Sequence, residues 1–135
     1  MPLDPTSVLG TVHCADVGRL VHLIISSGST YQSRIIGVNA EELPESQRLE
    51  IWGNAVEREV RFRSVSKDEY AERIREFGLP STAAEGFADL YEHFRDNGNV
   101  YAGEGVLQAK DLIEMKGWKV FCEEEDWKTV LTGCL

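Results

Sequence analysis

Between Ser66 and Pro80 the chain carries a helix whose two ends are both written in sequence. Ser66 stands three residues before Glu69, the spacing of a capping box. The hydroxyl takes the Glu69 amide, and the carboxylate reaches back to the amide of Ser66. Tyr70, Ile74 and Phe77 follow at helical spacing. Gly78 supplies the left-handed residue that closes a helix, and Pro80 prevents its resumption. After Pro80, Ser81 or Thr82 is placed to cap a longer helix reaching about Asp96. Its Phe87, Leu90, Tyr91 and Phe94 form an aromatic stripe at i, i+3, i+4 and i+7. Two helices in succession, each with its stop and start, leave little room for a sheet-dominated fold.

The remaining segments fit around this pair. Residues 1–10, with two of the chain's four prolines, Pro2 and Pro5, read as an irregular N-terminal arm. "TVHC" (11–14) suggests a short strand, and Asp16 an N-cap. Val17, Leu20, Val21 and Ile24 then give residues 17–27 one apolar face, ending near Gly28. "SRIIGV" (33–38) is β-branched enough for a strand. Pro44 opens a helix to about Asn54, with Leu49, Trp52 and Val56 on one side. "REVRFRSV" (58–65) alternates, with Val60, Phe62 and Ser64 facing one way, which predicts a half-buried strand. "NGN" (97–99) ends the aromatic helix, and "VYAGEGV" (100–106) reads as a loop. "LQAKDLIEM" (107–115) reads as a short helix, "WKVF" (118–121) as a connector or strand, and "EEEDWKTVL" (123–131) as a last helix with acids in its first turn. The expectation is a single α+β domain over 1–135, mostly helical, with about six helices and two or three short strands.

The net charge of −9 bears on partners. Affinity for nucleic acid comes largely from cations displacing counterions on phosphate, so a nucleic-acid partner is not expected. Anionic membrane surfaces are disfavoured for the same reason. No apolar run approaches the roughly 20 residues that span a bilayer, and "MPLDPTS" lacks the basic and apolar regions of a secretory signal. Cys14, Cys122 and Cys134 share no CxxC spacing, which fits reduced thiols and a cytoplasmic setting. No metal-ligand spacing stands out, the run Glu123–Asp126 included.

The order of segments resembles the C-terminal, substrate-binding half of NmrA-like proteins, in the atypical short-chain dehydrogenase/reductase superfamily. "HCADVGRLVHLIISSG" is similar to that half's opening D-x-G-R-x-V helix. Leu43, Pro44 and Glu45, then Gly53, then Val60 to Ser66, then Asp68, Glu69 and Tyr70 follow in the family's order. "KDLIEMKGWKVFCEEEDWKTVL" is similar to its closing helix, so the resemblance covers about residues 12–131. The family's other half binds a dinucleotide through a glycine-rich loop that opens a helix. Here "GEG" (103–105) follows no apolar strand and opens no such helix. The resemblance therefore implies a substrate-binding half standing alone from Met1, with no nicotinamide cofactor and no reductase chemistry. In such relatives the capped helices wall the substrate pocket.

Candidate chemistry follows from residue type and position. His13 lies at a strand-to-helix junction beside Cys14 and Asp16, where sites are commonly built; the alternative is a histidine bonded to backbone. His22 reads as a helix-surface residue. His93 flanks the aromatic stripe, and Tyr91 supplies a phenol if that stripe lines a cavity rather than core. His13, Asp16, Tyr91 and His93 are thus the candidate acids and bases. Arg19 either pairs with Asp16 or holds an anionic substrate group. Trp52, Phe87, Phe94 and Trp118, with Arg19, are the candidate substrate contacts, the aromatics suiting a flat ligand.

Two functions remain in view. One is a cofactor-independent enzyme that positions a small aromatic, prenylated or polyketide-type metabolite of secondary metabolism. It would catalyse cyclisation or isomerisation by proton transfer, for example addition of a hydroxyl across an alkene. The other is a non-catalytic binding or regulatory module, or a subunit docking on a separate nucleotide-binding chain. In either case an apolar face once covered by a neighbouring domain invites homodimerisation.

Overall fold

The computed structural model describes residues 1–98 and 103–132. Among these, six helices and four short strands make an α+β fold that is mostly helical. In chain order the elements are β1 (Val8–Thr11), α1 (Cys14–Ser26), β2 (Ile35–Gly37), β3 (Glu41–Pro44), α2 (Glu45–Ala55), α3 (Lys67–Glu76), α4 (Ser81–Asn97), β4 (Val106–Gln108), a 3-10 turn (Ala109–Asp111), α5 (Trp118–Glu124) and α6 (Trp127–Thr132). The strands form two separate pairs. β1 runs antiparallel to β3, with Val8 opposite Pro44 and Thr11 opposite Glu41. β2 runs parallel to β4, with Ile35 opposite Val106.

The α3–α4 hairpin is built as its punctuation demands. Ser66 Oγ accepts the Glu69 N–H at 3.1 Å. At the other end Leu79 N–H donates to the Ile74 carbonyl and Gly78 N–H to that of Arg75. That pattern is a Schellman closure, and Gly78 takes the positive φ of 89° it requires. Small side chains let the helices approach: Ala71 of α3 meets Ala84 and Ala88 of α4, flanked by Tyr70 and Ile74. The second half of the expected capping box is replaced. The Glu69 carboxylate bonds Arg63 at 2.9 Å and Arg73 at 3.3 Å, because a charged donor is the stronger partner for a carboxylate. Helix α4 starts at Ser81 with Pro80 in the cap position and no side-chain cap. Proline's fixed φ suits a helix start, and Ser81 and Thr82 lie inside the helix, past the cap position.

Several local expectations are corrected. The N-terminal arm is not irregular throughout. Pro2 and Leu3 are fully buried, a turn at 5–6 follows, and β1 begins at Val8. The expected strand at 11–14 thus lies earlier, because β3 is its partner and the chain turns helical at Cys14. The alternating stretch 58–65 is extended but joins no strand ladder. Val60 and Phe62 are half-buried while Arg61 and Arg63 are exposed. Alternation reports a half-buried extended chain, not the presence of a strand to pair with. The helix expected over 107–115 is instead the end of β4 and the 3-10 turn, since β2 holds this segment in register. "WKVF" opens α5 rather than forming a strand. The last helix starts at Trp127, where the Asp126 carboxylate accepts from the Thr129 amide and hydroxyl. Of the loop expected over 100–106, residues 100–102 lie outside the described residues, as does Cys134; Val106 belongs to β4.

Candidate functional site

His13 is the N-cap residue of α1, extended at φ −79° and ψ 134°, and its side chain makes no capping bond. The imidazole leans instead toward α5, with its ring centroid 5.7 Å from that of Phe121. Phe121 in turn lies 5.5 Å from Trp118. Residues Thr11, Val12, His13 and Cys14 on one side and Arg48, Lys116, Trp118 and Phe121 on the other enclose a cleft of about 340 Å³. Two predicted site residues, His13 and Trp118, therefore meet in one cavity.

Long-range carboxylates set this geometry. Asp16 Oδ2 accepts the Lys116 N–H at 2.7 Å, and Glu41 Oε2 accepts the Trp118 N–H at 2.7 Å. These bonds satisfy amides at the start of α5, which has glycine at its cap and no side chain of its own to offer. They also hold Trp118 and Phe121 against the α1 N-terminus. Asp16 is accordingly not the cap of α1. It sits inside the first turn, 2% exposed, and also receives Arg19 Nη1 at 3.0 Å. Arg19 is thereby spoken for by Asp16 on the outer face and does not line the cleft.

Arg48 is the residue the sequence did not single out. From α2 its Nη1 reaches the buried Glu45 at 2.6 Å, and its Cζ lies 4.8 Å from the Trp118 ring centroid. The Trp118 indole N–H donates to the Arg48 carbonyl at 3.0 Å. In sequence Glu45 and Arg48 look like any surface pair at i, i+3, and nothing marks the arginine as turned inward. Its Nε and the Nδ1 of His13 are the two buried side-chain polar atoms among the described residues that lack a hydrogen-bond partner. Leaving such an atom unsatisfied costs about 1–3 kcal/mol. Both atoms belong to residues that line one cleft.

The remaining candidates divide. Phe87, Tyr91 and Phe94 of α4, with Leu90, face β1 across a second cleft of about 280 Å³ that Thr11 and Arg48 also line. The Tyr91 ring packs edge-on against Tyr70 at 5.4 Å. Burial, then the neighbouring Tyr91, push the Tyr70 phenol up to about 12. His93 lies on the exposed side of α4, in contact with Asn97 at 3.0 Å, and joins neither cleft. Trp52 packs on Trp127, ring centroids 5.9 Å apart, and lines neither cleft. Asp16, Arg19, His93 and Trp52 are thus not brought to the cleft by the fold. A larger groove of about 550 Å³ runs between the end of α2 and α6, but it holds no unpartnered buried group, so size alone does not mark it as the site. Among the described residues no group of three or more His, Cys, Asp or Glu converges as a metal site. No helix of the described residues is long and apolar enough to cross a membrane.

No protein-family model matches the chain, and comparison with curated proteins and with solved structures gives no significant match.

Proposed function

We propose that the chain is a cofactor-independent enzyme of NmrA-like type, cytoplasmic, that binds a small aromatic hydroxyl compound in the His13–Arg48 cleft. It moves a proton there to drive cyclisation or isomerisation. One observation carries this reading: two residues that line the same aromatic cleft, His13 and Arg48, each hold a buried side-chain nitrogen without a hydrogen-bond partner. A phenol complements them. Its O–H donates to the His13 imidazole while its oxygen accepts from the Arg48 guanidinium, and its ring lies among Trp118, Phe121 and the imidazole. His13 then takes the hydroxyl proton, and Arg48 stabilises the oxygen as charge develops on it. In ring closure onto an alkene the O–H bond breaks, a C–O bond forms, and the second alkene carbon gains a proton. Tyr91, which lines the second cleft, is the proposed donor in that last step, and the proton taken by His13 returns to it through solvent. Neither a nicotinamide nor nucleic acid has a part in this reading.

His13→Leu tests it. The imidazole gives α1 no capping bond, so its loss should leave stability unchanged or raise it. Phenol affinity, read by chemical-shift titration, should fall at least about tenfold, the weight of one hydrogen bond to a charged or buried partner. Conversion of an alkenyl phenol in D₂O should put one deuterium on carbon in the native chain and none in the variant. Unchanged affinity, or parallel loss of affinity and stability, would show His13 to be structural.

Homodimerisation is the companion reading, favoured by α1. Val17 and Val21, expected on one buried face with Leu20, stand instead with Ile25 on the outer face of α1 at every fourth residue, and the three are 37%, 47% and 74% exposed. A second copy of the same stripe is its simplest cover. Val21→Lys should convert a dimer to a monomer in light scattering without loss of fold; a native chain that is already monomeric at high concentration would remove this reading.

A further inference from the structure

The two clefts meet at one residue pair, since Thr11 and Arg48 line both. Their chemistry is unequal. The first is lined by His13 and Arg48, each with an unpartnered buried nitrogen, and by the aromatic Trp118 and Phe121. The second is lined chiefly by apolar side chains: Val8 and Leu9 of β1, and Phe87, Leu90 and Phe94 of α4. Phe87 and Leu90 are 45% and 44% exposed, an unusual outlay of apolar surface on a helix whose other face has a core to join.

Resting on the function proposed above, the geometry points to a single bipartite site: the two clefts together take a phenol carrying an apolar chain ortho to its hydroxyl. The ortho position follows from where the oxygen is held. Arg48 and Thr11 line both clefts, so an oxygen held by the Arg48 guanidinium sits where the clefts meet, with the ring extending into the first. A para substituent then points away from the second cleft. A substituent on the carbon next to the hydroxyl returns past Thr11 and Arg48 and can lie along Phe87, Leu90 and Phe94. The same placement brings a hydroxyl and an unsaturated side chain on adjacent ring carbons, the arrangement that closes to a fused oxygen ring.

Binding of two phenol series by chemical-shift titration tests this, one series with ethyl, butyl and hexyl at position 2 and the other at position 4. In the native chain the ortho series should tighten by up to about fourfold per methylene, the value of a buried CH₂, while the para series stays flat. Leu90→Asp, at a half-exposed position that folding tolerates, should flatten the ortho series and leave unsubstituted phenol unchanged. Phe87→Ser should act in the same way. An ortho series that is flat while phenol binds, a para series that gains as much, or an ortho gain that survives both variants overturns the bipartite site and leaves the His13–Arg48 reading standing. Failure of every phenol to bind, or binding unaffected by His13→Leu, overturns both.

Discussion

The Glu41 carboxylate accepts the backbone N–H of Trp118 at 2.7 Å across 77 positions of sequence. It does from β3 what a cap residue normally does from within the helix, because Gly117 has no side chain to do it. Glu41→Ala should cost about 1–3 kcal/mol, the range for a hydrogen bond to a charged group at a half-buried site. Glu41→Gln keeps an acceptor oxygen and should recover part of that loss. Urea denaturation followed by tryptophan fluorescence measures both. Because α5 carries Trp118 and Phe121, phenol affinity should fall in the same order. Equal stability of all three proteins would mean that the α5 start is held by packing alone.

What was readable beforehand tracks the range of the forces involved. The α3–α4 hairpin is local: Ser66, Gly78 and Pro80 act within a few residues of themselves, and the structure follows them. Strands were read less well because a ladder needs a partner the local sequence does not name. The stretch 58–65 alternates as a strand should and finds none, while 106–108, which reads as a loop end and a helix start, is held as β4 by Ile35–Gly37. The same limit applies to the site. His13 and Trp118 were legible as residue types at element ends. Their meeting depends on Asp16 and Glu41 reaching 100 and 77 positions away. Arg48 was illegible because its pairing with Glu45 is the pattern of an ordinary exposed ion pair.

Gly53 lies where α2 comes close to the extended stretch after it. A Cβ there would stand 2.6 Å from Val60 Cγ2 and 3.0 Å from the Arg58 carbonyl oxygen. Alanine would favour the helix by nearly 1 kcal/mol in isolation, but overpacking of this kind costs about 1–3 kcal/mol. The carbonyl is backbone and cannot swing aside, so Gly53→Ala should be destabilising. Adding Val60→Ala removes the nearer clash, and the double variant should be more stable than the sum of the two single changes predicts. Additive losses in thermal denaturation would place Val60 away from Gly53.

The two described cysteines should differ sharply toward alkylation. Cys14 is exposed and lines the first cleft. Cys122 is 1% exposed, and burial pushes its thiol up, disfavouring the reactive thiolate. Peptide mapping after brief iodoacetamide treatment should find Cys14 modified and Cys122 untouched until denaturant is added. Saturating phenol should slow reaction at Cys14 and leave Cys122 unaffected. Modification of Cys122 under native conditions would mean that α5 opens readily, and an unprotected Cys14 would place the ligand elsewhere.

Tyr70 gives the fold an alkaline limit. Its phenol is raised from about 10 in an unfolded chain to about 12 by burial and by Tyr91. Between those values the folded chain keeps a proton that the unfolded chain has lost. Fewer protons bound in the unfolded state means that stability falls as pH rises. The contribution is therefore fully present below pH 10 and disappears as pH climbs through 12. Ultraviolet titration should resolve a late-ionising tyrosine, and it should be absent from Tyr70→Phe. The same variant should show a shallower loss of stability between pH 10 and 12 than the native chain. Since Tyr70 sits behind Tyr91 at the α3–α4 contact, a native chain whose tyrosines all ionise together near pH 10 would show that this contact is open to solvent, and with it the back wall of the second cleft.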